Sequence, residues 1–215
     1  MKNVIPLLFL IFIFGCEKNN HVIHVKATNI VTGEPYEGLK ISVVQQTPGV
    51  FESHYKNVYE GYLDTNGEAA FDLKMKNNKS YQLGIELPEN TCYFNDLYFS
   101  LKHDLEAQNV EVEFAPCAYL HLKINNINCL GAEDTLIVFQ GNQIGTFDYS
   151  EPWHHLGCAM WESPGGTDGC PLGYSCVAMG EQYFKWEVIR NGTIEVYYDT
   201  IYLDAGEYEI FEINY

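Results

Sequence analysis

Basic residues are scarce: 12 Lys+Arg stand against 29 Asp+Glu in 215 residues, a formal charge of −17. That scarcity excludes nucleic acid as a partner, because phosphate binding is carried by clustered Lys and Arg. No segment reads as an amphipathic helix, and beyond Cys16 no apolar run approaches the about 20 residues that a membrane-spanning helix needs. The G-x-S-x-G, H-E-x-x-H, P-loop and dinucleotide-binding patterns are all missing. What the chain has in quantity is apolar and aromatic material, 47% and 14% of its residues. A disordered acidic tail carries far less, so this chain is expected to fold.

Residues 2 to 16 place one lysine, an apolar run from Val4 to Phe14, Gly15 and Cys16 in that order. A run of this length suits the core of a secretory signal and is too short to cross a bilayer. Ile13-Phe14-Gly15-Cys16 resembles the lipobox of bacterial lipoproteins, and no A-x-A-like cleavage site follows it. The resemblance implies cleavage before Cys16 and several acyl chains on that residue, each buried CH₂ contributing about 0.8 kcal/mol to membrane attachment. Residues 1–15 are then a signal peptide and residues 16–21 a lipidated tether. The mature protein would be a cell-envelope lipoprotein, held on the outer membrane through its lipid without spanning it.

Period-2 alternation dominates the rest. Ile23, Val25 and Ala27 alternate with polar residues, as do Leu39, Ile41 and Val43, then Tyr81, Leu83, Ile85 and Leu87. The same holds for Val110, Val112 and Phe114, for Leu120, Leu122 and Ile124, and for Phe184, Trp186 and Val188. Half-buried strands with polar outer faces are what antiparallel sandwiches show. Asn66-Gly67 and Asn191-Gly192 sit between alternating runs and predict hairpins, since type I′ turns need two residues at positive φ. Proline at Ala115-Pro116 predicts a strand end, hence a boundary between residues 22–115 and 116–215. The fold class expected is all-β: two antiparallel Greek-key sandwich domains in tandem, of immunoglobulin or transthyretin type.

Residues 22 to 88 carry Thr32-Gly33-Glu34-Pro35-Tyr36-Glu37-Gly38 after a first strand, then Leu39 to Val44, then Asp64-Thr65-Asn66-Gly67-Glu68 leading into Ala69 to Leu73. That order resembles the carboxypeptidase regulatory-like (transthyretin-like) sandwich, an accessory module of exported bacterial proteins. The resemblance covers about a third of the chain and implies a Greek-key sandwich without catalysis of its own. The segment Thr47 to Glu60 is longer than the family's simplest form. The opening of the second half, Cys117 to Asn126, loosely resembles the second sandwich of small lipoproteins.

With Cys16 set aside, Cys92, Cys117, Cys129, Cys158, Cys170 and Cys176 remain. An oxidising envelope favours disulfides among them, with fifteen possible connectivities. If each half has its own core, Cys117 is the nearest partner for Cys92, and the other four form two bridges in the second half. A long loop, about residues 150–178, is the least strand-like stretch and the first place to look for function. A zinc site from Cys158, Cys170, Cys176 and His154 or His155 is one reading, but its spacing departs from the short C-x₂₋₄-C pairs of structural zinc sites. A Cys158 nucleophile activated by a neighbouring histidine is another, and a disulfide accounts for the cysteine equally well. Asp64 to Glu68 lacks the ligand spacing of a calcium loop. No metal, cofactor or catalytic residue is assigned.

Trp153, His154, His155, Trp161 and Tyr174 are the candidate partner-binding residues, because aromatics concentrate where binding energy does. Covering the disulfides and one sandwich end is their alternative role. Asp134-Thr135-Leu136 and Asp199-Thr200-Ile201 resemble an O-glycosylation acceptor pattern of bacterial envelope proteins. The functional expectation is a non-catalytic lipoprotein that presents a disulfide-pinned aromatic loop to a protein or glycan; the alternative is an exported hydrolase with acidic catalytic residues.

Overall fold

A computed structural model describes residues 20–49, 52–145, 152–163 and 170–215. The expected signal segment, Cys16 and parts of the long loop lie outside the described residues. Fifteen strands follow in chain order: β1 (Asn20–Asn29), β2 (Lys40–Thr47), β3 (His54–Tyr62), β4 (Glu68–Lys74), β5 (Ser80–Ile85), β6 (Thr91–Phe94), β7 (Tyr98–Leu101), β8 (Ala107–Asn125), β9 (Thr135–Asn142), β10 (Trp153–Leu156), β11 (Trp161–Glu162), β12 (Ser175–Ala178), β13 (Gly180–Arg190), β14 (Thr193–Leu203) and β15 (Tyr208–Asn214). Among the described residues there is no helix. β1 begins inside the segment read as tether, and its His21 is buried with Nδ1 2.7 Å from the Leu105 carbonyl.

Two hydrophobic cores form, and each is a sheet packed on a sheet. In the first, Ile23 and Val25 of β1, Leu73 of β4 and Val110, Val112 and Phe114 of β8 meet Ile41 and Val43 of β2 and Tyr81, Leu83 and Ile85 of β5. In the second, Leu120, Leu122 and Ile124 of β8 and Phe211 and Ile213 of β15 meet Leu136 and Val138 of β9 and Phe184 and Val188 of β13. The alternation read in the sequence thus turns one face of each strand inward, as a period of 2 requires.

β8 is common to both cores. Its first part pairs with β1 through Phe114 and its last part with β15 from Tyr119 onward, while β6, β12 and β11 line its other side in turn. The strand expected to stop at Pro116 therefore continues through it. Proline is tolerated because it lies between Phe114 and Tyr119, where neither parallel partner pairs with the strand. A small junction cluster of Ala115, Ala178 and Met179, with Ile30, Val31 and Cys92 against it, joins the cores at this point.

Two expectations are corrected. The sheet around β8 is mixed, since β1 and β15 both run parallel to β8, while the two sheets that face it are antiparallel as expected; side-chain alternation is the same for either direction and carries no sign of it. Asn66-Gly67 does not close a hairpin, because β3 and β4 belong to different sheets. Asp64 organises that turn by accepting the Asn66 and Glu68 N–H groups, each at 2.9 Å, and Gly67 at φ 70° approaches Ala27 too closely for a Cβ. Asn191-Gly192 does close one: both residues have positive φ, 46° and 76°, between the paired Arg190 and Thr193 of β13 and β14.

Candidate functional site

The expected loop is laced with short strands rather than open. β10 adds to β9, setting Trp153 opposite Val138 and His155 opposite Leu136; β11 adds to β8, setting Trp161 opposite Ile124. Directly opposite residues share a face, so both tryptophans turn toward the second core from the ends of its two facing sheets. Their ring centroids are 5.9 Å apart at 49°. With Pro152, His154, His155 and the buried Ile124 they line a cavity of about 370 Å³. Trp153 is 39% exposed, whereas Trp161 packs partly against the core.

Gly157 to Met160 carries the chain from one sheet to the other, and this crossing is pinned three ways. Cys158 is bonded to Cys129. Gly157 donates to the Asp134 carbonyl at 2.8 Å, and Asn126 donates to the Gly157 carbonyl at 3.1 Å. His155 Nε2 lies 2.6 Å from the Ala159 carbonyl. Beneath the crossing, the buried Asp134 accepts Leu130 N–H at 2.9 Å, Arg190 Nε at 3.1 Å and Asn126 Nδ2 at 3.2 Å. The Leu130 hydrogen bond, opposed by burial and aided by Asn126 and Arg190, holds the Asp134 carboxyl below the ordinary aspartate range. Arg190 also donates to Asn126 Oδ1 at 2.8 Å and lies over the Tyr215 ring.

The disulfide falls among the expected cysteines, but the polar pins were missed in the sequence, although one signal was available. Arg190 is the only arginine in the chain, and a lone guanidinium in so acidic a sequence points to a specific buried carboxylate. Asp134, by contrast, was noticed only as part of an acceptor-like tripeptide, and its side chain is enclosed.

Tyr174 is not part of the cavity. It packs edge-on against His121 and Tyr208, at 5.4 and 5.2 Å, on the outer face of the sheet around β8, where Tyr208 stacks on Tyr119. The remaining cysteines form Cys92–Cys117, across the point where β8 changes partners, and Cys170–Cys176. With Cys158, Cys170 and Cys176 all oxidised, the zinc and nucleophile readings have no thiolate to use. Among the described residues no cluster of three His, Cys, Asp or Glu side chains is placed to hold a metal ion.

A wider groove of about 620 Å³ crosses the outer face of β4, β1 and β8, lined by His24, Lys26, Glu68, Glu111, Asp64 and Tyr62 among others. Two of its three carboxylates are engaged. Glu68 pairs with Lys26 at 2.9 Å, raising the lysine pKa, and the two backbone N–H donors at Asp64 lower that carboxyl. A general acid needs the opposite displacement.

No family model matches the chain, and no curated protein matches it. Among solved structures the chain is similar to the TIE protein of Bacillus anthracis, with 11% identity over 91% of this chain and 34% of that one and a TM-score of 0.34. It spans about a third of that protein's length. It is also similar to GBS52, the minor pilin of Streptococcus agalactiae, with 12% identity, 90% and 94% of the two chains covered and a TM-score of 0.33. The shaft pilin spaA of Lactobacillus rhamnosus GG gives 10% identity, 91% and 96% coverage and a TM-score of 0.33. These scores describe a distant likeness only.

Proposed function

We propose that the chain is a non-catalytic cell-envelope lipoprotein, anchored through lipid on Cys16, whose two cores are tandem Greek-key sandwich domains presenting the Trp153–Trp161 edge to a protein or glycan. The observation that carries this reading is the aromatic cavity between the ends of two sheets, held open on a crossing fixed by Cys129–Cys158 and Asp134. An exposed indole beside a second, buttressed indole and two histidines offers apolar stacking area with polar groups at its rim, which suits a peptide side chain or a sugar ring. The rival reading, an exported hydrolase, would have to work in the groove over β1, where Glu68 and Asp64 are already committed.

A photoreactive residue in place of Trp153, in the full chain in cells, should capture the partner, while the same residue at Tyr174 on the outer face should not. Equal capture from both positions would overturn the assigned edge. Cys16→Ala should release the protein from membranes and abolish acyl labelling; unchanged membrane association would overturn the anchor.

A further inference from the structure

Sheet edges expose unpaired backbone groups and are ordinarily guarded by shortness, lysine, proline or bulges. Most edges here follow that rule. β7 and β10 have 4 residues each, β4 ends in Lys74, and β3 carries Lys56 and a register break between Asn57 and Tyr59. β14 does not. It has 11 residues without Lys, Pro or Gly, and its register with β13 runs unbroken from Thr193 to Leu203. Among the described residues nothing pairs with its other edge. On its outer face Ile194, Val196, Tyr198 and Tyr202 are 59%, 45%, 73% and 51% exposed.

We propose that β14 pairs with β14 of a second copy of this chain, antiparallel about a two-fold axis through Tyr198. The strand's own sequence selects that occupant and register. A two-fold axis normal to the sheet keeps each face on its own side, so the axis must pass through a residue rather than between two. With the axis at Tyr198 the whole strand is used, Thr193 facing Leu203. Ile194 then faces Tyr202 and Val196 faces Thr200 on the outer face, while Glu195 faces Ile201 and Asp199 faces Tyr197 on the other. Shifting the axis to Tyr197 sets Glu195 against Asp199, and shifting it to Asp199 sets that carboxylate against itself. Like charges directly opposite destabilise a ladder, so the full-length register avoids the acidic pairs that both neighbouring registers make. Closure about a two-fold consumes the β14 edge of both copies. The formal charge of −17 per chain opposes approach, so salt should strengthen the pairing.

The test uses the full chain in detergent micelles. Sedimentation velocity should show a dimer whose fraction rises with protein concentration and with salt. Val196→Lys and, separately, Thr200→Lys should weaken association about tenfold or more without moving the thermal midpoint. Tyr198→Cys should give a disulfide-linked dimer on oxidation, because only at the axis does a residue face its own copy, while Glu195→Cys should not. A monomer at every concentration and salt overturns the proposal. So does a dimer indifferent to both lysine variants, or equal cross-linking from positions 195 and 198.

Discussion

Around Phe114, strands of four to ten residues on the facing sheets bury their alternate side chains against β8, and Tyr36, Tyr59 and Phe71 close the margins by packing. Around Phe184 the margin is made by β10, β11 and β12, of 4, 2 and 4 residues, which bury little each. There, Cys129–Cys158, Cys170–Cys176 and the Asp134–Arg190 pair stand where apolar area is short. The first core is closed at its margins by apolar and aromatic packing. The second holds an irregular edge by constraining its chain with covalent and ionic ties instead.

That contrast can be broken experimentally. Phe114, fully buried and edge-on to Tyr36, should cost about 3–5 kcal/mol when changed to alanine, read by denaturant unfolding. Because β8 serves both cores, the loss should appear in a single transition; two separated transitions would show that the cores unfold independently. Replacing Cys129 and Cys158 with serine should cost about 3–4 kcal/mol from the 29-residue separation they close, and in the second core first. Protection from hydrogen exchange lost equally in β1 and β9 would remove the distinction between the halves.

Acid offers a smaller and more selective probe. The Asp134 carboxyl sits below its ordinary range in the folded chain, so its contribution is complete above about pH 4 and is lost as the pH falls through the folded value. Asp134→Asn should flatten that loss while lowering the midpoint at neutral pH; an unchanged acid profile would show that the tie contributes nothing. Smallest of all, Trp153→Ala should shift stability by about 1 kcal/mol or less while abolishing partner capture, and Trp161→Ala should cost more because its ring leans on the core.

The strands were legible because alternation is a local property. Ile23, Val25, Tyr81, Leu83, Val112 and Leu122 were all read inward and all are buried. Strand direction was not legible, since pairing β1 with β8 depends on contacts more than 80 residues apart that leave no local mark. Pro116 misled for the same reason: its local preference for a strand end is offset by the partner change on either side. At the site, the residue types of Trp153 and Trp161 were informative, but their meeting depends on two sheets converging. Tyr174 belonged to the same stretch of chain and fell on the other face.

One consequence of β8 concerns force. At about 3.3 Å per residue its 19 residues extend about 60 Å, and the first and last strands of the fold, β1 and β15, lie parallel to its two halves. Tension between the chain's ends therefore drags β1 and β15 lengthwise along β8, loading their ladder hydrogen bonds together in shear instead of peeling them one at a time. A chain fastened at one end and pulled at the other would resist extension at both cores through the same central strand.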